Sequence, residues 1–365
     1  MYVWIEDSAA LDGWMAAHAA TAIIGLDTEF MRTDTFRSRL ALVQANVAGD
    51  IALIDVPALG ACPALAARLR ARDCICVMHS AGEDLDALAS IVADGPQTLF
   101  DTQIAAALCG LGFGLSYQKL VALAFAIDLP KAETRSDWLR RPLSAAQLDY
   151  AAQDVAHLPQ LHALLDAKLG ALGRRDWLAE DCRRLVERVR HAQPDPQPQR
   201  AFRGASEWPP ERQALLRRLL LWREDRARSL DKPRQWILDD ARALEFVSRP
   251  PQSGEELFER SKGLRALRGP LRQEILELLR APLQPADLDF APIPRPMTNS
   301  DKRRVAAMRD AVAAIAATRD LPEGLLCPRR HLEALVTDGA WPAALEGWRK
   351  ALLHEALMEI LARAA

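Results

Sequence analysis

The run Thr21-Ala22-Ile23-Ile24-Gly25-Leu26-Asp27-Thr28-Glu29-Phe30 is the most constraining stretch of the chain. Its apolar start reads as a buried strand. The two-residue period of a strand then puts Asp27 and Glu29 on one face, about 6–7 Å apart along the backbone. Two carboxylates at the end of a buried strand repel each other, and each costs several kcal/mol to bury unless a positive group compensates. A partner arginine (Arg32, Arg37 or Arg39) or a metal ion supplies that compensation, and both readings stand on these residues alone.

The surrounding pattern is α/β. Strand-like runs continue through "RLALVQANV" and "IALIDV", joined at Ala48-Gly49-Asp50 as an antiparallel hairpin. A helix ("CPALAARLRAR"), an apolar strand ("CICVMHS") and a helix from about Ala81 follow, and from there to residue 190 the pattern is helical. The proline-rich stretch 191–210 reads as a linker, and everything beyond it as helix and loop. Within that half, 226–247 resembles 316–336, pairing Leu238 with Leu326 and Leu244 with Leu332. Two copies of one small helical domain, split near the proline-rich 281–297, explain the likeness. The expected domains are thus 1–190, a linker 191–210, a first helical module 211–290 and a second 291–365.

Composition sets limits rather than a function. With 365 residues the chain is long enough for two or three domains, and 47 basic against 49 acidic residues leave any nucleic-acid binding to local basic faces. "CRRLVERVR", "RRLLLWREDRAR" and "DKRR" are such faces, read either as solvated helix surfaces or as an RNA track. Six scattered cysteines lack the spacing of a zinc site and read as buried residues in a reducing compartment. The N-terminus lacks the order of a signal peptide, and no apolar run reaches the roughly 18 residues of a membrane span. The expectation is a soluble, cytoplasmic protein with no membrane partner.

Two further acids matter because of where periodicity puts them. In "HSAGEDLDALASIV", Ser80 reads as the cap of a helix whose inner stripe is Leu85, Leu88 and Val92. Asp84 lies beside that stripe and Asp86 points outward. In "LSAAQLDYAAQDVAHL", Ser144 and Gln147 form a capping box, the stripe is Leu148, Ala151, Val155 and Leu158, and Tyr150 and Asp154 stack four residues apart on its edge. Ala151 and Ala152 allow close approach to the sheet. Taken singly, Asp84 and Asp154 also read as solvated acids and Tyr150 as a core aromatic. The ordered set of strand pair, helix-opening acid and Tyr-xxx-Asp helix is what favours a site.

Those residues carry a family resemblance. "LDTEF", "HSAGEDLDAL" and "YAAQDVAHL" are similar to the three motifs of the DEDD superfamily of 3′–5′ exonucleases, in the subclass with tyrosine in the third motif. With "RLALVQ", "FDTQIAAALCG" and "ETRSDWLRRPLSAAQLDYAAQDVAHL", residues 21–165 resemble the ribonuclease D family. The C-terminal repeats resemble its tandem HRDC domains. The second motif departs from many relatives in lacking Asn and an aromatic before its acid, so Glu83 and Asp86 rival Asp84.

The resemblance implies a ribonuclease H-like α/β exonuclease domain with a mixed sheet, followed by two small all-α HRDC-type domains. It implies two divalent cations, Mg²⁺ or Mn²⁺, held by Asp27, Glu29, Asp84 and Asp154, with Tyr150 orienting the attacking water. The implied reaction is removal of 5′ mononucleotides from the free 3′ end of RNA, in maturation of precursor transfer RNA, by a monomer. Phe30, Gln44, His79, Arg135 and Trp138, together with Lys131, are the candidate substrate contacts. A DNA exonuclease using the same acids, or a nucleic-acid-binding scaffold with an inactive site, are the alternatives.

Overall fold

In the computed structural model, residues 1–130 and 136–363 are described. Six strands form one mixed sheet: β1 (Tyr2–Ile5), β2 (Ile23–Met31), β3 (Arg39–Val47), β4 (Asp50–Ile54), β5 (Ile75–Met78) and β6 (Leu99–Asp101). Their spatial order is β1-β4-β3-β2-β5-β6. β2, β3 and β4 are antiparallel neighbours, while β1 runs parallel to β4, and β5 and β6 extend the other edge in parallel. β3 is buried from Leu40 to Val47, which is why "LALVQANV" reads as a continuous apolar run.

Two sheet strands escape the sequence pattern. β1 has only four residues, and β6 has three within a segment expected to be wholly helical. Strands this short carry no periodic signal, and pairing with neighbours decides them. The hairpin is present, but its turn is Ala48-Gly49, with φ of 54° and 102°, while Asp50 already pairs with Val47. Positive φ at both central residues matches the right-handed twist of the strands.

The helix Ala145–Ala156 packs its alanines on the sheet. Ala151 and Ala152 share a core with Ala41, Leu42 and Leu53, and the Asn46 amide of β3 donates to the carbonyls of Val155 and Ala156 at 2.9 and 3.1 Å. The capping box of Ser144 and Gln147 is formed. Gly25 of β2 faces the start of the next helix, Leu158–Leu172, where a Cβ would lie 2.9 Å from that of Leu158. Glycine there brings the helix against the acid-bearing strand.

Residues 1–31, 38–192 and 303–365 form one compact unit, and residues 32–37 with 193–302 a second. In the first unit the C-terminal segment packs on the helix Arg175–Arg190. Trp348 stacks on Trp177 at 4.7 Å and 8°, and the Arg349 guanidinium donates to the buried carboxylate of Asp181, with Nη2 at 2.9 Å. The second unit has its own core, from Leu216, Leu219, Ile237, Phe246, Leu257 and Ile275. The stretch expected to be a free linker contributes to it: Ala205 is buried, and Gln199 donates to the Ala291 carbonyl at 2.9 Å.

The internal repeat is visible in the backbone. Pro210–Ser229, Arg234–Ile237 and Asp240–Ser248 have 20, 4 and 9 residues; Asn299–Thr318, Glu323–Leu326 and Arg329–Asp338 have 20, 4 and 10. Asp231 and Asp320 each follow the long helix with φ of 48°. This register corrects the sequence pairing by one residue. Leu326 corresponds to Ile237 and Leu332 to Ala243, all four buried, whereas Leu244 is only partly buried.

Candidate active site

β2 carries Asp27 and Glu29 to its C-terminal end, where a bulge between Glu29 and Phe30 shifts the pairing with β3. The helix Ala145–Ala156 brings Asp154 over them. One ligand oxygen from each of Asp27, Glu29 and Asp154 lies within 4.8 Å of the others. Asp84, in the helix Gly82–Leu88, stands beside this trio, and its Oδ1 accepts the Thr28 hydroxyl at 2.6 Å. Its rivals Glu83 and Asp86 are exposed, whereas Asp84 lies close enough to raise the Asp27 carboxyl.

No arginine or lysine pairs with these four carboxylates among the described residues; Arg32, Arg37 and Arg39 do not serve. The electrostatics follow. Burial first, then Asp84, Asp154 and Glu29, raise the Asp27 carboxyl well above its usual range. Burial and the neighbouring Asp154 and Asp84 push Glu29 up to about 8. Burial takes Asp84 to about 6 despite the Thr28 hydroxyl, and Asp154 to about 6 despite the Tyr150 phenol. The Tyr150 phenol donates to Asp154, and burial together with that carboxylate raises Tyr150 above the ordinary phenol range. Four oxygen-donor carboxylates that lack any cation fit a hard divalent ion, whose charge would reverse each of these shifts.

The site rests on a clasp the sequence patterns did not single out. Asp101, 1 % exposed at the end of β6, accepts from the backbone N–H groups of Ala81 (2.9 Å), Ser80 (3.3 Å), Gln103 (2.8 Å) and Ile104 (3.1 Å). It therefore caps its own helix and fixes the turn that leads into Asp84. The expected Ser80 cap is absent. Ser80 has φ of 61°, and Ala81 precedes the helix without a side-chain cap. The Asp before "TQIAAAL" is an N-cap signal that would have found Asp101. Thr28 had no such signal, because strand alternation assigns it to the face away from its acidic neighbours.

The expected substrate contacts divide. Phe30 is half-buried at the bulge beside Glu29. Gln44, paired with Asp27 across the sheet, is fully buried with neither amide atom hydrogen-bonded, so it does not line an open cleft. Nε2–H of His79 donates to the Leu115 carbonyl at 2.9 Å, and its Nδ1 lies 2.8 Å from the Thr102 hydroxyl. Both nitrogens are thus engaged, and burial holds the ring below its usual pKa; it is a brace rather than a substrate contact. Trp138 is 3 % exposed in the core with Leu42 and Ala151, its ring 6.1 Å from that of Tyr150, which makes it a support for the tyrosine. Arg135 and Lys131 lie outside the described residues. All six cysteines are buried and free, as expected. No described helix is long and apolar enough to cross a membrane.

Comparison with known proteins agrees with this geometry. Residues 2–170 match the family described as 3′–5′ exonuclease, and residues 212–268 match the HRDC domain. Ribonuclease D of Xanthomonas oryzae is 42% identical over 358 residues, covering 98% of this chain and 98% of its own length. That of Pseudomonas paraeruginosa is 33% identical over 377 residues, covering 98% and 97%. The crystal structure of Escherichia coli ribonuclease D, described as an exoribonuclease involved in structured RNA processing, superposes with a TM-score of 0.84 at 27% identity. The match covers 100% of this chain and 99% of that one. With a mixed-sheet exonuclease fold, a cluster of acids suited to divalent metal and an HRDC domain later in the sequence, the chain belongs to the ribonuclease D family and is a 3′–5′ exoribonuclease.

Proposed function

We propose that this enzyme trims 3′ extensions from precursor transfer RNA, one 5′ mononucleotide at a time. Asp27, Glu29 and Asp154 would hold one divalent ion, and Asp27 with Asp84 a second, Mg²⁺ or Mn²⁺ in either place. The observation that carries the assignment is the convergence of three carboxylate oxygens within 4.8 Å, with Asp84 alongside and no basic partner among the described residues. When bound, such ions neutralise charge developing on the scissile phosphate and make water a competent nucleophile near neutral pH.

The chain's own residues do the positioning. The Tyr150 phenol donates to Asp154, so it fixes that carboxylate and orients the attacking water. That role is the one expected of the tyrosine subclass. Trp138 packs against Tyr150 and limits its movement. Phe30, beside Glu29, stacks the terminal base.

Residues 1–190 act as the exonuclease domain, with 211–290 and 291–365 as two HRDC-type modules. The repeated helix lengths and the shared φ of Asp231 and Asp320 support the second module. The test follows a 5′-labelled transfer RNA with a short 3′ extension through time with Mg²⁺ or Mn²⁺, beside a matching DNA strand. A ladder shortening from the 3′ end that requires metal and Asp154, with DNA spared, is expected. Persistence of the ladder in Asp154→Asn sinks the site assignment, and equal loss of the DNA strand sinks the RNA substrate.

A further inference from the structure

Residues 32–37 and the 193–302 unit together enclose a cleft of about 410 Å³, lined among others by Arg32, Phe36, Arg223, Arg234, Trp236 and Asp240. The loop that forms one wall is clamped in place. The Asp231 carboxylate accepts from the N–H groups of Phe36 and Arg37, both at 3.0 Å, and Lys232 Nζ donates to the Asp34 carbonyl at 3.3 Å. Phe36 is 8 % exposed, with the guanidiniums of Arg228 and Arg234 at 4.9 and 4.8 Å from its ring. The cleft is therefore formed before any ligand arrives.

Its chemistry is one-sided. Three guanidiniums and one carboxylate line the cleft; Arg223 holds that carboxylate, Asp240, at 2.6 Å, Arg234 is paired with Glu224 at 2.9 Å, and Arg32 is left over. Arg223 is itself buried, and its Nε has no acceptor. Arg32 is exposed, with no hydrogen bond or ion pair among the described residues. Arg234 and the half-buried Trp236 add flat surfaces; Arg265 lies 4.9 Å from the indole. Unpaired positive charge beside flat cationic and aromatic walls suits a phosphate joined to a planar base, and a cleft of this volume suits one nucleotide. Arg32 also follows Glu29 by three residues, just past the end of the strand that carries the acids.

We propose that this cleft binds one nucleotide of the RNA strand, its phosphate on Arg32 and its base against the wall made by Arg234 and Trp236. The inference rests on the ribonuclease reading for the identity of the ligand. The test uses the full chain carrying Asp154→Asn, so that RNA is not consumed, and a 5′-fluorescein single-stranded RNA of about twelve nucleotides, read by anisotropy across a salt series. Arg32→Ala is expected to weaken binding at low salt and to reduce the slope of log affinity against log salt by about 0.7, the value for one phosphate contact on a single strand. Trp236→Ala is expected to weaken binding roughly tenfold, with Trp236→Phe recovering most of it. Because Arg32 is exposed and unpartnered, its removal leaves the fold intact, and equal melting temperatures check this. Affinity within about twofold of the parent, with an unchanged salt slope in Arg32→Ala, overturns the proposal. A wild-type chain that shortens no RNA defeats the functional reading instead, while this binding measurement, made without turnover, still decides the cleft.

Discussion

The carboxylates at the end of β2 and those of the 193–302 unit meet opposite surroundings. In the helical unit the partly buried acids Glu224, Asp287 and Glu274 each have an arginine. Glu224 is partly buried, yet bonds from Arg234 and Arg228 keep it below the usual carboxylate range, and a bond from Arg218 lowers Asp287. At the end of β2, Asp27, Glu29, Asp84 and Asp154 share one small volume without a paired basic side chain among the described residues, and all four are raised. The same residue types are structural where arginines neutralise them and functional where neutralisation is left to something the chain does not supply. The buried Asp181–Arg349 pair is the extreme of the first kind.

The largest effect that would break this contrast is on turnover. Asp154→Asn keeps size and burial but withdraws one anionic ligand. If bound metal supplies several kcal/mol of transition-state stabilisation, RNA shortening should fall by roughly 10³-fold or more, with the fold retained. Substantial activity in that variant would put the acids on the structural side. Arg349→Ala should cost about 3–5 kcal/mol in denaturant unfolding, because it strands the Asp181 carboxylate in the core. A loss below about 1 kcal/mol would show that this acid, too, tolerates being alone.

Next in size is the response to pH and metal. Below about pH 4.5, Glu29 is protonated in both folded and unfolded chains. As pH rises to about 8, the unfolded chain releases a proton that the folded one keeps, so the metal-free protein loses stability over that window, with Asp84 and Asp154 contributing between about 4 and 6. Mn²⁺ or Mg²⁺ at about 100 times its dissociation constant should return about 2.7 kcal/mol at neutral pH, and a chelator should remove it. A melting temperature indifferent to both would contradict the site. The smallest effect is expected at the half-exposed pair of Arg226 and Glu274, where Arg226→Ala should cost under about 1 kcal/mol, lessening in high salt. A larger loss would mean that the paired acids matter more than their exposure implies.

Much of the acid site was legible in the sequence because each element that bears it has a strong local signature. Strand alternation placed Asp27 with Glu29, and helical period with a capping box placed Tyr150 with Asp154. The clasp around Asp84 was not legible in the same way: it depends on Asp101 reaching across from a three-residue strand to the N–H groups of Ser80 and Ala81. His79 and Trp138 were misread for a related reason. Sequence position brought them near the motifs, but only the packed structure shows that their polar or apolar surfaces are already satisfied. The helix lengths recur one residue out of step with the leucine pairing, since two leucines at matching spacing cannot distinguish a one-residue slip when neighbouring positions are also apolar.

The attachment of the C-terminal segment to the helix Arg175–Arg190 sets an order of events during synthesis. Trp348 and Arg349 complete the surroundings of Trp177 and Asp181, and Arg349 is made 168 residues after Asp181. Until the helix Trp348–Ala362 emerges from the ribosome, the Asp181 carboxylate lacks the Arg349 guanidinium and Trp177 lacks its stacking partner. The first-made part of this nuclease acquires that surface only after the whole 193–302 unit has been synthesised.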